Sequence, residues 1–525
     1  MKGIFLILLH FSFFNSSGSD INLLKKAEDL FGDENFKSAL PLFVNLLQND
    51  PDNTLLSFKA GICCLHTGNN FEQALYYFQK ASQNPSIGSK VYFFIGNAYL
   101  LSGKTDDALV NFKKYLNMAT ENDEYYSLSK RNVELCINAI ELMKSPVNAI
   151  LTNAGKNINS DCDDFSPILT PDKTVLLFSS RREGSIGGNY DYNSQLFSDV
   201  YQCNKTNSNW SMPINIGKYI NTELNDHATG ISHDGQTLFL YKEKYESSSG
   251  NIFVSHIESG IWTASEKFGS NSITTDLNSN YTEQNACISP DQQTIFFSSD
   301  RPGGYGGFDL YKVQKLPTGE WGLALNLGET LNTVYDENYP FIHSDGISFY
   351  FASQGHNSMG GYDLFKTSVL SSYLWEIPTN LGYPLNSTCD DISYFKNPGI
   401  NLFYFASSRP DGLGGFDIYE AEIPNNYPIT LMSGYINIED TSALKHTEII
   451  VLEKENNLIE GMYHPNNRNG KFILTFIPGK SYILKVNSPG YECYTEHITI
   501  SQNINIFELE KIINLKCQQN QIVNE

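Results

Sequence analysis

The chain has 525 residues, is 41% hydrophobic and 13% aromatic, and carries a formal net charge of −22. That much apolar material excludes a wholly disordered chain and is enough for two to four separate cores. So acidic a sequence, without a basic run, is not expected to bind nucleic acid, whose phosphates need clustered Lys and Arg.

The chain opens "MKGIFLILLHFSFFNSSGSD". Lys2, the apolar run Ile4 to Phe14 and the small residues Ser16 and Gly18 read as a secretory signal peptide over residues 1–18, with the run too short to cross a bilayer. The first cysteine is Cys63, so the acylated cysteine of a bacterial lipoprotein is missing, and no later segment is apolar enough to span. The mature chain is therefore expected to be exported and to carry no transmembrane segment. Its nine cysteines have neither metal-site spacing nor disulfide-framework density.

Residues 19–145 read as helices. "FKSALPLF" (36–43), "FEQALYYF" (71–78) and "TDDALVNF" (105–112) align at Ala39, Ala74 and Ala108, close to the ~34-residue period of tetratricopeptide helix pairs. Gly32, Gly68 and Gly103 mark the turn before each copy, and the small alanines let paired helices approach. Three repeats and a closing helix at 125–143 form an all-α solenoid, an architecture that docks peptides or proteins.

Residues 146–424 repeat a β unit. Each copy has an acidic start and a turn ("DDFSPILTPDKT", "DHATGISHDGQT", "EQNACISPDQQT", "ENYPFIHSDGI", "DDISYFKNPGI"), a hydrophobic strand, a Gly-rich loop such as "RPGGYGGFDLY", and a strand near Trp210, Trp262, Trp321 or Trp375. Four short strands per period predict a five-bladed β-propeller. The loop glycines are expected at positive φ, and Asp309, Asp363 and Asp417 are expected to take loop amides. "NAGKNINSDCDD" (153–164) matches "NIGKYINTELND", "NLGETLNTVYDE" and "NLGYPLNSTCDD", so residues just before the first blade should complete the last and close the ring. That closure makes Cys162 and Cys389 equivalent positions in neighbouring blades; a disulfide between them and two buried thiols are both open.

Asp164, Asp226, Glu283, Glu337 and Asp391 recur once per blade. Two readings stand: a ring at one mouth of the channel that draws a cation or basic peptide, or carboxylates tied to backbone amides and to Arg181, Arg301 and Arg409. "GISHDG" and "IHSDG" place Ser, His and Asp side by side, which is turn chemistry, since a catalytic triad converges from separate segments. No catalytic residue, cofactor site or metal site is expected. Residues 425–505 alternate as strands between Gly and Pro turns and predict a seven-stranded β-sandwich, followed by a loose tail at 506–525.

"SPDQQTIFFSSDRPGGYGGFDLY" resembles the WD40-like repeats of TolB-type periplasmic propellers, and "GKFILTFIPGKSYILKVNSPGY" resembles the carboxypeptidase regulatory-like domain, a small transthyretin-like sandwich. The whole order resembles the OmpA-family envelope proteins of the type IX secretion and gliding machinery. The resemblance implies a non-enzymatic periplasmic scaffold, outer-membrane-associated through its partners, that binds envelope proteins. It departs from that family in lacking the lipobox and an OmpA-like domain after the sandwich, so direct peptidoglycan binding is not carried over. The alternative is a glycan- or peptide-binding protein, or a hydrolase, with its site in the propeller funnel.

Overall fold

The computed structural model describes residues 18–518 apart from 69, 192–194, 208, 246, 270–275, 372–373, 399–400, 424–429, 456 and 502–507. The expected leader therefore falls almost wholly outside the described residues. Among the described residues, no helix is long and apolar enough to cross a membrane.

The first part is helical: α1 (Gly18–Gly32), α2 (Phe36–Asn49), α3 (Thr54–His66), α4 (Phe71–Ala81), α5 (Lys90–Leu101), α6 (Thr105–Met118) and α7 (Tyr126–Lys144). Asn35, Asn53 and Asn70 cap three of them by accepting an amide from the first turn. The aligned alanines are fully buried, as are Phe43, Phe78 and Phe112. Close packing explains why: the Phe78 and Phe112 rings occupy the space that a Cβ on Gly61 or Gly96 of the preceding helix would need.

A mostly β region follows, in which five antiparallel sheets succeed one another. Their first strands are Asp164–Leu169, Asp226–Ile231, Glu283–Ile288, Glu337–Ile342 and Asp391–Phe395. Each of these strands neighbours the next, and the last neighbours the first, so the sheets form a closed cycle. Every one shifts register against the second strand of its sheet. The cycle is sealed by Ile150–Asn153, which pairs antiparallel with Asp417–Glu422 as the outer strand of the fifth sheet. Aromatic rings fill the gaps between sheets; Trp375 of the fourth lies 6.0 Å from Phe296 of the third.

Two further sheets form the C-terminal unit. One is ordered Lys471–Phe476, Thr430–Asn437, Glu508–Asn514; the other Ile459–Tyr463, Glu448–Glu453, Ser481–Asn487, Tyr494–Thr499. They share one apolar core that includes Phe472, Leu474, Ile449, Val451, Leu484 and Val486. The expectation of a loose tail from 506 is corrected here. Glu508–Asn514 is a strand, parallel to Thr430–Asn437, with Ile513 fully buried. Gly434 allows that pairing, because a side chain there would overlap the Lys511 carbonyl.

The helical and C-terminal parts touch opposite ends of the ring. Arg131 of α7 donates to the Gln354 carbonyl at 2.6 Å and Asn138 to the Ser358 carbonyl at 2.9 Å, both in the loop between the second and third strands of the fourth sheet. Asn466 of the C-terminal unit donates to Asp234, in the turn between the first and second strands of the second sheet. Successive connections in an antiparallel sheet lie at alternate ends, so these two contacts face away from each other.

Candidate functional site

The five recurring carboxylates stand at the head of each first strand, and all five are fully buried. They do not ring an open mouth. Asp164 is paired with Arg182, Asp226 with Lys242 at 3.0 Å, Glu283 with Arg301 at 2.9 Å and Asp391 with Arg409 at 2.6 Å. Each also accepts from the amide and hydroxyl of a residue four positions earlier: Ser160, Thr222, Ser279, Thr333 and Ser387. Four of the five are thus paired with a cation and all five are bonded to local donors. Of the arginines named for the second reading, Arg301 and Arg409 make the pairs; in the first sheet Arg182 does so while Arg181 turns to Asp163 and Asp191, and in the second sheet Lys242 takes the place of arginine.

The fourth sheet breaks the pattern. Where the first, third and fifth sheets carry arginine, it has Gly355, and a Cβ there would overlap Thr333. His356 takes over half of the missing role. Its Nε2 lies 2.9 Å from the Leu331 carbonyl, the counterpart of the Leu277 carbonyl that Arg301 reaches at 2.7 Å. Among the described residues no cation reaches Glu337, which keeps the Ser353 hydroxyl at 2.6 Å and Thr333. Burial pushes its carboxyl up to about 7 from 4.5. A raised folded-state value means that the neutral form is favoured by folding, so this stabilisation is complete below about pH 4.5 and is lost as pH rises through 7. The expected result is that Glu337→Gln gains about 3 kcal/mol over the parent between pH 5 and pH 8, read from denaturant midpoints. A constant difference across that range would contradict it.

The Gly-rich loops are built on a second set of carboxylates. Asp309 accepts the Tyr305 and Gly306 amides at 2.6 and 3.0 Å, Asp363 those of Met359 and Gly360, and Asp417 that of Gly414 at 3.0 Å. The glycine expectation holds in part and is otherwise corrected in its reason. Gly184, Gly187 and Gly188 of the first loop and Gly303 of the third have positive φ, but Gly306, Gly307, Gly360, Gly361, Gly414 and Gly415 do not. They are needed for close approach: a Cβ on Gly306, Gly360 or Gly414 would overlap the backbone of the connection to the next sheet. On that connection Asp336, Asp390 and Asp163 accept the amides of Phe308, Tyr362 and Phe416, stapling each sheet to its neighbour.

The matching asparagines complete the frame. Asn326 Oδ1 accepts from the Gly328 amide and from Asn332 Nδ2, and Asn332 bonds both the amide and the carbonyl of Leu310. Asn153 and Asn159 repeat this across the seam, on Gly155 and Ile418, and Asn153 also donates to Asp417 at 2.7 Å. Cys162 and Cys389 are both free thiols with different neighbours; Cys389 Sγ lies 3.5 Å from the Leu101 carbonyl of α5.

"ISHDGQ" is a turn: Ser232 Oγ donates to Asp234 at 2.6 Å and accepts the Thr237 amide at 2.9 Å. Beside it lies a chamber of about 60 Å³ on the ring axis, walled by residues of all five first strands. Its polar lining includes Thr229, His233, Ser344, Ser393 and Lys396, beside Ser166, Ser232, Asn285 and Asn397. From the sequence, His233 and Ser344 were read only as turn residues and Thr229, Ser393 and Lys396 were not singled out; a break in the repeat is the signal that finds Thr229, His233, Ser344 and Lys396.

No protein-family profile matches the chain, and no curated protein does. Solved structures do, loosely. A TolB homologue from Agrobacterium tumefaciens is 17% identical over 49% of this chain and 73% of its own, with a TM-score of 0.29. The type III secretion chaperone SycD of Yersinia enterocolitica, solved with a peptide of the translocator YopD, is 19% identical over 25% of this chain and 98% of its own, at 0.22. A glycoside hydrolase is 8% identical over 54% of this chain and 94% of its own, at 0.37. These likenesses accompany the division into a helical part and a many-sheeted part; they carry no argument about activity.

Proposed function

We propose that the chain is a non-enzymatic scaffold or adaptor of the cell envelope, periplasmic and outer-membrane-associated through its partners, with a role in secretion or gliding of the type IX kind. On this reading α1 to α7 are a tetratricopeptide solenoid, the five-sheet cycle is a WD40-like five-bladed propeller, and the C-terminal pair of sheets is a carboxypeptidase regulatory-like sandwich. The observation that carries the reading is where the repeated polar residues go. Acids that recur sheet by sheet are consumed in holding strands and loops together, so the most conspicuous chemistry of the sequence is architectural. The solenoid and the sandwich, set at opposite ends of a rigid ring, leave two separated docking bodies.

Affinity capture from envelope extract after mild cross-linking tests it. The expected result is a defined set of envelope proteins, lost when the helical part is removed, together with no turnover of glycan or peptide libraries. Turnover abolished by one substitution in the channel would overturn it in favour of a hydrolase.

A further inference from the structure

The turns at the end of the ring that meets the C-terminal unit follow one pattern, and the residues that depart from it are polar and meet in one place. Pro171, Pro290 and Pro398 occupy one position of three sheets, where the second and fourth have His233 and Ser344. Two residues earlier the aliphatic Leu169, Ile231, Ile288 and Ile342 are replaced in the fifth sheet by Lys396. Thr229 stands where the others have Pro167, Ala286, Pro340 and Tyr394. Residues that repeat serve the frame; these do not repeat, so the frame does not require them.

All of them face the axial chamber. Ser344 is 2%, Ser393 8% and Lys396 9% exposed. Ser344 Oγ, Ser393 Oγ, Thr229 Oγ1 and His233 Nε2 are buried without a hydrogen-bond partner. An unmet buried polar group costs about 1–3 kcal/mol, so four around one cavity imply an occupant. Among the described residues no carboxylate lies within ion-pair distance of Lys396, and burial lowers its pKa, with Lys366 adding to the effect and Asp345 opposing it from further off. The acids nearby are engaged elsewhere. Asp345 lies 3.2 Å from His343 and accepts the Ile347 and Ser348 amides, and Asp234 accepts from Ser232, Gln236 and Asn466.

Water would satisfy the hydroxyls, but Asp345, the acid that acts on Lys396, is already engaged by His343 and two backbone amides, which leaves the ammonium without a paired counter-charge. We propose that the chamber is a binding site for a small oxyanion of carboxylate or phosphate size, with Lys396 as its counter-charge and Ser344, Ser393, Thr229 and His233 as hydrogen-bonding partners. The volume suits one such group, since a water needs only about 10–15 Å³ by the same measure. A free anion and the terminal carboxylate of a peptide offer the same chemistry.

The test uses the full chain and its Lys396→Met variant, which restores an apolar residue at the position where the other sheets have one. Thermal midpoints are followed against inorganic phosphate, acetate, and a short peptide with a free or an amidated C-terminus, each at ionic strength matched with chloride. The expected result is a saturable rise for the parent and a half-saturation at least about tenfold weaker for the variant, the loss of one charge-assisted contact. A bromide soak should place a density peak between Lys396 and Ser344. Response to the free peptide but not its amide assigns the site to a protein terminus; response to phosphate or acetate alone assigns it to a free anion. Equal responses of the two proteins, or water alone in the chamber, would overturn the proposal.

Discussion

Arg409→Met is expected to lower the stability of the full chain by about 3–5 kcal/mol. Arg409 is 9% exposed and holds Asp391 at 2.6 Å, the Leu385 and Pro384 carbonyls at 3.1 and 3.2 Å, and Ser407 Oγ at 2.9 Å. Its guanidinium also lies 5.0 Å from the centre of the Tyr419 ring. Removing it strands a carboxylate that has no exposed surface. Methionine keeps much of the stem's packing, so the loss reports the charge and its hydrogen bonds. The double variant Arg409→Met/Asp391→Asn should recover most of that loss, because the asparagine needs no counter-charge. Urea midpoints with a common slope read both effects. A single-variant loss under about 1 kcal/mol, the size of a surface pair, would mean that the pair contributes little.

The second large effect concerns the seam. A chain begun at residue 160 lacks Ile150–Asn153 and with it the outer strand of the fifth sheet, the Asn153 contact to Asp417 and both Asn159 bonds to Ile418. Asp417–Glu422 then becomes an unprotected edge, and the neighbouring apolar residues Leu151 and Ala421 lose each other. Such a chain should elute as aggregate by size exclusion with light scattering, whereas one begun at residue 146 should elute as monomer. A monomeric, cooperatively unfolding chain from residue 160 would show that the ring does not depend on its seam.

Much of this frame could be read from period alone. Ala39, Ala74 and Ala108 announced the helix pairs because a small residue recurring on one face has a packing reason. The repeated Asn-x-Gly segments pointed to the residues just before the first sheet as completing the last, and the structure makes this pairing with a strand at 150–153 whose Asn153 stands opposite Tyr419. Period was silent on direction. Glu283 and Asp391 recur whether they face solvent or protein, and only their partners tell. Those partners were visible, since Asp164, Glu283 and Asp391 each precede an arginine (Arg182, Arg301, Arg409) by the same interval. Asp226 and Glu337 have no such arginine; Asp226 has Lys242 instead, which leaves Glu337 as the uncompensated member. The strand Glu508–Asn514 escaped because its partner, Thr430–Asn437, lies far back in the sequence and runs parallel to it, so no hairpin turn announces it. Of the axial polar residues, His233 and Ser344 stood in segments whose turn chemistry explained them, while Thr229 and Lys396 depart from the repeat and so carry no periodic signal.

The seam also dictates the order of events as the polypeptide emerges. Ile150–Asn153 leaves the ribosome or translocon long before Asp417–Glu422, the strand it must pair with, exists. Through that interval the fifth sheet cannot be finished, so the β region has no complete intermediate to rest in and matures only once nearly all of it has been delivered. The helices that come first can settle alone, since their contacts are local. A nascent chain would thus trail a folded head and an unfinished middle, and any holding factor would find its substrate in the middle.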